Sequence, residues 1–186
     1  MIECLAVSAL PALFLIVLYG GEALLRRRKI DPTGQLPLGK TLFSWCKYAL
    51  VIPWGAMVLR SWGPGLAISE RPEVLKWAAL VLWVLGFVLL FVGRFSLGAS
   101  FRTGIAREKT RLEHDGIYRY SRNPMYLGIY STLLSACLYT LNPIVLAAGA
   151  FIVAVHHKIV LSEERHLRVV FGTAYEEYCR RVRRYL

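Results

Sequence analysis

The sequence predicts an all-α integral membrane protein of about five transmembrane helices, with a cytosolic connection and a C-terminal helix. Three observations carry that expectation. The 186-residue chain is 56% hydrophobic and only 19% charged, with a mean hydropathy of +0.46, which is more apolar surface than one soluble core of this size can hide. Its apolar residues gather into segments near 4–25, 41–60, 74–93, 125–141 and 143–162. Its positive residues gather between those segments.

Each segment is long enough, or nearly so, to cross a bilayer at about 1.5 Å per helical residue. The first ends in Arg26, Arg27, Arg28 and Lys29, so the positive-inside rule places that end in the cytosol and the N-terminus outside. Glu3 and the lack of a leading basic stretch fit a retained anchor better than a cleaved signal peptide. The Pro- and Gly-bearing stretch 32–39 reads as a cytosolic loop. The second segment exits near Arg60, Trp62 to Gly65 opens an external loop, and the third segment returns to the cytosol at Arg94. Only Asn142 and Pro143 separate the fourth and fifth, which predicts a tight hairpin or a broken pair, with Pro143 in the first turn where its missing N–H costs nothing. The connection 94–124 and the tail after Ser162 then share the cytosolic face. Residues 1–186 read as a single membrane domain, with three N-terminal spans in 1–93 and a catalytic half in 94–186.

A net charge of +11 invites a nucleic-acid partner. The positions argue otherwise: the clusters at 26–29, 94–122 and 165–184 flank apolar runs, the pattern left by membrane topology and anionic headgroups. Cys4, Cys46, Cys137 and Cys179 show no Cys-x-x-Cys spacing and read as small apolar side chains. No metal site is expected. His156 and His157 are adjacent, point about 100° apart on a helix and have no cysteine or carboxylate four residues away, so they read as an interfacial or substrate-pocket pair. Lys47 reads as snorkelling to the cytosolic face, Glu22 as interfacial or paired with arginines, and Phe171, Tyr175 and Tyr178 as the apolar face of a cytosolic helix. No strand precedes the glycines at 93 and 98, which rules out a Rossmann-type nucleotide site.

The most informative stretch is a basic run through Gly116, Tyr118 and Arg122 that turns at Asn123 and Pro124 into the fourth apolar segment, through Met125, Tyr126 and Gly128. Some forty residues later the fifth segment ends in Glu163 and Glu164. Charged groups at a membrane face are costly unless they bind something. Together these residues offer carboxylates at Glu163 and Glu164 for cationic groups, aromatic faces at Tyr118 and Tyr126, and a guanidinium at Arg122 for an anion. Asn123 is well placed as the N-cap of a helix opened by Pro124.

In order, Gly-x-Tyr, Arg-Asn-Pro-x-Tyr-x-Gly, Glu-Glu and Phe-Gly-x-x-Tyr-x-x-Tyr resemble the isoprenylcysteine carboxyl methyltransferase family and its phospholipid N-methyltransferase relatives. The resemblance covers 112–182; the N-terminal half shares only its hydrophobic spans. It implies S-adenosylmethionine as cofactor, with Tyr118, Pro124, Met125, Tyr126 and Glu163 in its pocket, Asn123 and Glu164 beside them, and Leu112 and Glu113 in a less distinctive contacting stretch. Glu163 and Arg122 are the expected catalytic residues. Asn123 stands where the best-known members carry histidine, which suggests positioning rather than acid–base work. Ile159 stands where eukaryotic prenylcysteine enzymes carry an arginine thought to meet the substrate carboxylate.

The expected activity is methyl transfer to a lipophilic acceptor entering from the bilayer, foremost a prenylcysteine-type carboxylate. Alternatives are N-methylation of a phospholipid amine, a sterol-reductase-like NADPH enzyme, and a non-enzymatic membrane protein of the same fold. Such transfer asks mainly for alignment and water exclusion, so few catalytic side chains suffice. The expected partners are that lipophilic substrate and membrane lipids. The expected location is a prokaryotic inner membrane with the site facing the cytosol.

Overall fold

The computed structural model describes residues 1–29, 48–63, 71–98 and 112–186. Expectations for the 32–39 loop, Cys46 and Lys47 fall outside those residues. The described residues form six α-helices: α1 Ile2–Arg27, α2 Val51–Trp62, α3 Glu73–Leu97, α4 Pro124–Thr140, α5 Pro143–Phe171 and α6 Thr173–Arg181, with a 3₁₀ turn at Gly116–Arg119 before α4. Among them α1, α3 and α5 are long and apolar enough to cross a membrane. At 17 residues α4 reaches about 25 Å, close to the hydrocarbon thickness of about 30 Å. The 12-residue α2 continues a segment expected to begin at 41, before the described part.

The tightest packing in the bundle is that of α3 on α4, and sequence sets it. A methyl group on Gly86 would lie 2.9 Å from the Gly128 carbonyl oxygen, and one on Gly128 would lie 2.7 Å from the Gly86 carbonyl oxygen. The two backbones touch because neither residue has a side chain, as small residues permit in membrane helices. Hydroxyls tie the same seam: Ser131 Oγ donates to the Leu82 carbonyl at 2.8 Å and Ser135 Oγ to the Ala79 carbonyl at 2.6 Å. Beside it, Phe14, Trp54, Trp83 and Phe87 form an aromatic core in which Trp83 and Phe87 meet edge-on at 4.9 Å. The Trp54 indole N–H donates to Thr132 Oγ1 at 3.1 Å, so its one polar atom is satisfied within the bundle.

The helices alternate in direction. At one end, α1 begins beside the close of α2, where Trp62 Nε1 donates to Ser8 Oγ at 3.0 Å. There Arg71 lies 3.7 Å over the Tyr139 ring and 3.6 Å from Glu3. At the other end Glu22 and Arg94 are both buried, with the carboxylate acting electrostatically on the guanidinium.

The fourth and fifth segments form the tight hairpin. Leu141, in the left-handed region at φ 46°, ends α4, and Asn142 caps α5 by accepting from the Ile144 N–H at 2.9 Å. Pro124 and Pro143 each open their helix. The 29 residues of α5 exceed by about nine what a bilayer requires. Its last turns, with Glu163 and Glu164, therefore project beyond the hydrocarbon.

Candidate functional site

The first turns of α4 and the last turns of α5 face one another in three layers. In the outermost, Glu164 is the hub. Arg122 Nε and Nη2 donate to its Oε1 at 3.2 and 3.0 Å, and Asn123 Nδ2 donates to the same oxygen at 3.3 Å. Arg184 Nε and Nη2 donate to Oε2 at 3.1 and 2.9 Å. The Glu164 side chain is 4% exposed, so five charge-assisted donors hold a buried carboxylate. Arg122 Nη1 also donates to the Val182 carbonyl at 2.7 Å, and Arg122 N–H to the Arg183 carbonyl at 3.0 Å. The chain after α6 is thereby stitched onto the start of α4.

Asn123 departs from expectation. It occupies the N-cap position of α4 but makes no capping bond with its side chain. That amide donates instead to Glu164 and, at 3.1 Å, to the Arg184 carbonyl. These bonds use the amide N–H donors and set the side chain's orientation toward α5 and the chain end.

In the second layer the Tyr126 hydroxyl donates to Glu163 Oε1 at 3.0 Å. Among the described residues, Glu163 takes no bond from Arg122 or Arg184. The neighbouring carboxylates thus have different environments, because adjacent helical positions point about 100° apart. The Tyr126 ring meets the buried His156 edge-on at 5.8 Å and packs on Val155 and Ile159. In the third layer, one turn further along α4, the Tyr130 hydroxyl lies 3.3 Å from the Tyr185 hydroxyl, which lies 2.8 Å from His157 Nδ1.

A fourth wall comes from the 3₁₀ turn. Gly116, at φ 58°, supplies the left-handed residue that opens it. Tyr118 is buried, donating from its hydroxyl to the Gly93 carbonyl at 3.4 Å while its own carbonyl accepts from the Tyr178 hydroxyl at 2.6 Å. Burial first, then Tyr178 and Glu163, hold the Tyr118 phenol well above its ordinary value. Tyr118 is therefore a buried neutral phenol within electrostatic reach of Glu163.

Of the expected residues, the structure brings Tyr118, Tyr126 and Glu163 to one cluster and Arg122, Asn123 and Glu164 to the adjoining hub. Pro124 is buried at the helix start, and Met125 packs on Gly93. Glu113 acts electrostatically on Tyr118. Leu112 packs instead with Tyr175 and Tyr178 of α6, with Val182 just beyond it and with Phe171, which was expected on the same helix but ends α5. Sequence reasoning passed over Arg184 and Tyr185, which follow the last recognised motif. It also missed Tyr130, although its place four residues after Tyr126 puts both on one face.

The fold is that of an integral membrane protein with a carboxylate- and tyrosine-lined candidate site at the end of a helical hairpin. The family model for phospholipid methyltransferase matches residues 74–174, more than half of the chain, and the chain belongs to that family. It is 28% identical over 115 residues to protein-S-isoprenylcysteine O-methyltransferase of Dictyostelium discoideum, covering 59% of this chain and 48% of the relative. The protein of the same name from Saccharomyces cerevisiae is 28% identical over 110 residues, covering 53% and 46%. The chain thus spans about half the length of these relatives; both are eukaryotic and lend the prokaryotic expectation no support. Among solved structures, the eukaryotic intramembrane Ras methyltransferase ICMT (isoprenylcysteine carboxyl methyltransferase) matches with a TM-score of 0.65 and 22% identity, over 93% of this chain and 62% of that one. That likeness speaks for the fold.

Proposed function

We propose that this protein transfers a methyl group from S-adenosylmethionine to a lipophilic acceptor, most directly a prenylcysteine-type carboxylate. The observation that carries the reading is the division of labour between Glu163 and Glu164. Glu164 is consumed by the hub, whereas Glu163 is held by a tyrosine hydroxyl and bordered by Tyr118 and Tyr126. A carboxylate among neutral aromatic rings suits a ligand carrying ammonium and sulfonium charges, so the donor set fits the cofactor. When bound, S-adenosylmethionine supplies a methyl group on positively charged sulfur, which leaves as a neutral thioether once the acceptor oxygen has taken the methyl. Glu163 orients the cation, Tyr118 and Tyr126 exclude water from it, and Arg122 with Glu164 fixes the start of α4 against the end of α5. The names and matched regions of the two relatives favour an oxygen over an amine as acceptor.

The same reading turns the site end toward the cytosol, since the exposed Arg26, Arg27, Arg28 and Lys29 close α1 at the end where Glu22 meets Arg94. The test is equilibrium binding of S-adenosylmethionine and its demethylated product to protein in detergent, followed by turnover on a prenylcysteine analogue and on phosphatidylethanolamine. Micromolar binding that Glu163→Ala abolishes, with methyl ester as product, is the expected result. Binding unchanged in that variant, or none by the folded protein, refutes the reading. Methylation of the amine alone would move the activity to the phospholipid class.

A further inference from the structure

The third layer of the hairpin has no part in the site just assigned. Tyr130, His157 and Tyr185 form a row, with oxygen–oxygen and oxygen–nitrogen separations of 3.3 and 2.8 Å. The Tyr185 ring packs against Tyr130 at 5.6 Å and His157 at 5.9 Å. All three are half-buried. His157 precedes Glu163 by six residues, about 9 Å along α5 toward the hydrocarbon. A residue from beyond α6 thus reaches into the bilayer side of the carboxylate, where a lipophilic acceptor would arrive. The chain beside it is pinned by the hub, since Arg184 binds Glu164 with its side chain and Asn123 and Ser121 with its carbonyl.

Such a row has two hydrogen-bond directions. With Tyr130 donating to Tyr185 and Tyr185 to His157 Nδ1, both hydroxyl protons are spent internally. With His157 Nδ1–H donating to Tyr185 and Tyr185 to Tyr130, the Tyr130 proton is free to donate outward. An anionic oxygen placed at Tyr130 selects the second direction.

We propose that the Tyr130–Tyr185–His157 row is the subsite for the acceptor's carboxylate, a neutral hydroxyl donor relayed from an imidazole, and that Tyr185 is a specificity-determining residue delivered to it by Arg184. This rests on the methyl-transfer reading, and direct binding separates the two. The probes are S-farnesylcysteine with a free carboxylate and its carboxamide, titrated without cofactor against wild type, Tyr185→Phe and Tyr130→Phe. Wild type should prefer the carboxylate at least ten-fold. Both variants should lose that preference while binding the carboxamide as wild type does, a pattern that general loosening of the fold would not produce. In turnover, the acceptor KM should rise in Tyr185→Phe with S-adenosylmethionine affinity unchanged. Undiminished preference for the carboxylate in both variants overturns the subsite, as does a wild type that does not distinguish the two probes. Loss of cofactor binding by wild type would instead overturn the methyl-transfer reading and leave the probe titration to decide the subsite.

Discussion

Glu163 and Glu164 are chemically identical neighbours, and replacing each by alanine should give opposite phenotypes. Glu164 is 4% exposed and Arg122 9%, while Arg184 is one-third exposed. Removing the Glu164 carboxylate leaves two guanidinium groups aimed at one buried point with no counter-charge. Breaking a buried pair from one side costs about 3–5 kcal/mol. Arg184 can swing its charge into water, which places Glu164→Ala toward the lower bound, about 3 kcal/mol. Glu163→Ala removes one hydrogen bond to a tyrosine but also relieves a carboxylate lodged among rings, so its net cost should stay within about 1 kcal/mol. The assay is thermal unfolding of both variants and wild type in one detergent, followed by tryptophan fluorescence, with S-adenosylmethionine binding measured on the same samples below the transition. Glu164→Ala should melt well below wild type, and Glu163→Ala close to wild type but without cofactor affinity. If Glu163→Ala is the less stable variant, or Glu164→Ala melts with wild type, the assignment of hub and ligand carboxylate is wrong.

Further outcomes follow from the same geometry. Gly128→Ala drives a methyl group to 2.7 Å from the Gly86 carbonyl and should destabilise by about 1–3 kcal/mol; Gly55→Ala, with nothing within 4 Å in the middle of α2, should be neutral or stabilise by up to about 1 kcal/mol, and paired melting curves check the difference in sign. Trp54→Phe loses the bond to Thr132 inside the bundle and should cost about 1–3 kcal/mol by chemical denaturation. Burial pushes the Tyr178 phenol up to about 12 from 10.0. Below pH 10 both folded and unfolded chains keep that proton, so its stability is fully present; between pH 10 and 12 the unfolded chain loses it first and stability falls. Tyr178→Phe should show a shallower loss across that window in a pH series of melting temperatures.

Much of this architecture is legible in the sequence because membrane helices announce themselves by length and hydropathy, and because Pro124, Pro143 and Asn142 mark helix starts by local chemistry alone. Tyr118, Tyr126 and Glu163 were legible as a group since the motifs holding them lie at the same helix ends. The partition of Glu163 from Glu164 was not, because it depends on which way α5 is rotated against α4, and contacts that bear on that rotation, such as Gly149 against Cys137, lie far from either carboxylate. Asn123 misled for a related reason: a capping residue reads from its own neighbourhood, whereas its amide is claimed by Glu164 from another helix. Tyr185 carries no local signal, being a tyrosine in a basic run whose position is fixed by contacts more than twenty residues away in sequence.

The two-residue link at Leu141 and Asn142 makes the hairpin a lever with its fulcrum at the end opposite the site. With about 22 Å of helix between fulcrum and Tyr126, separating Tyr126 from Glu163 by about 3 Å requires a rotation of only about 8°. A change of a few degrees at the link therefore alters the separation of Tyr126 and Glu163 while the far ends of α4 and α5 stay in register. The clasp on that lever is the Glu164 hub, which joins the free ends of both arms to the chain beyond α6.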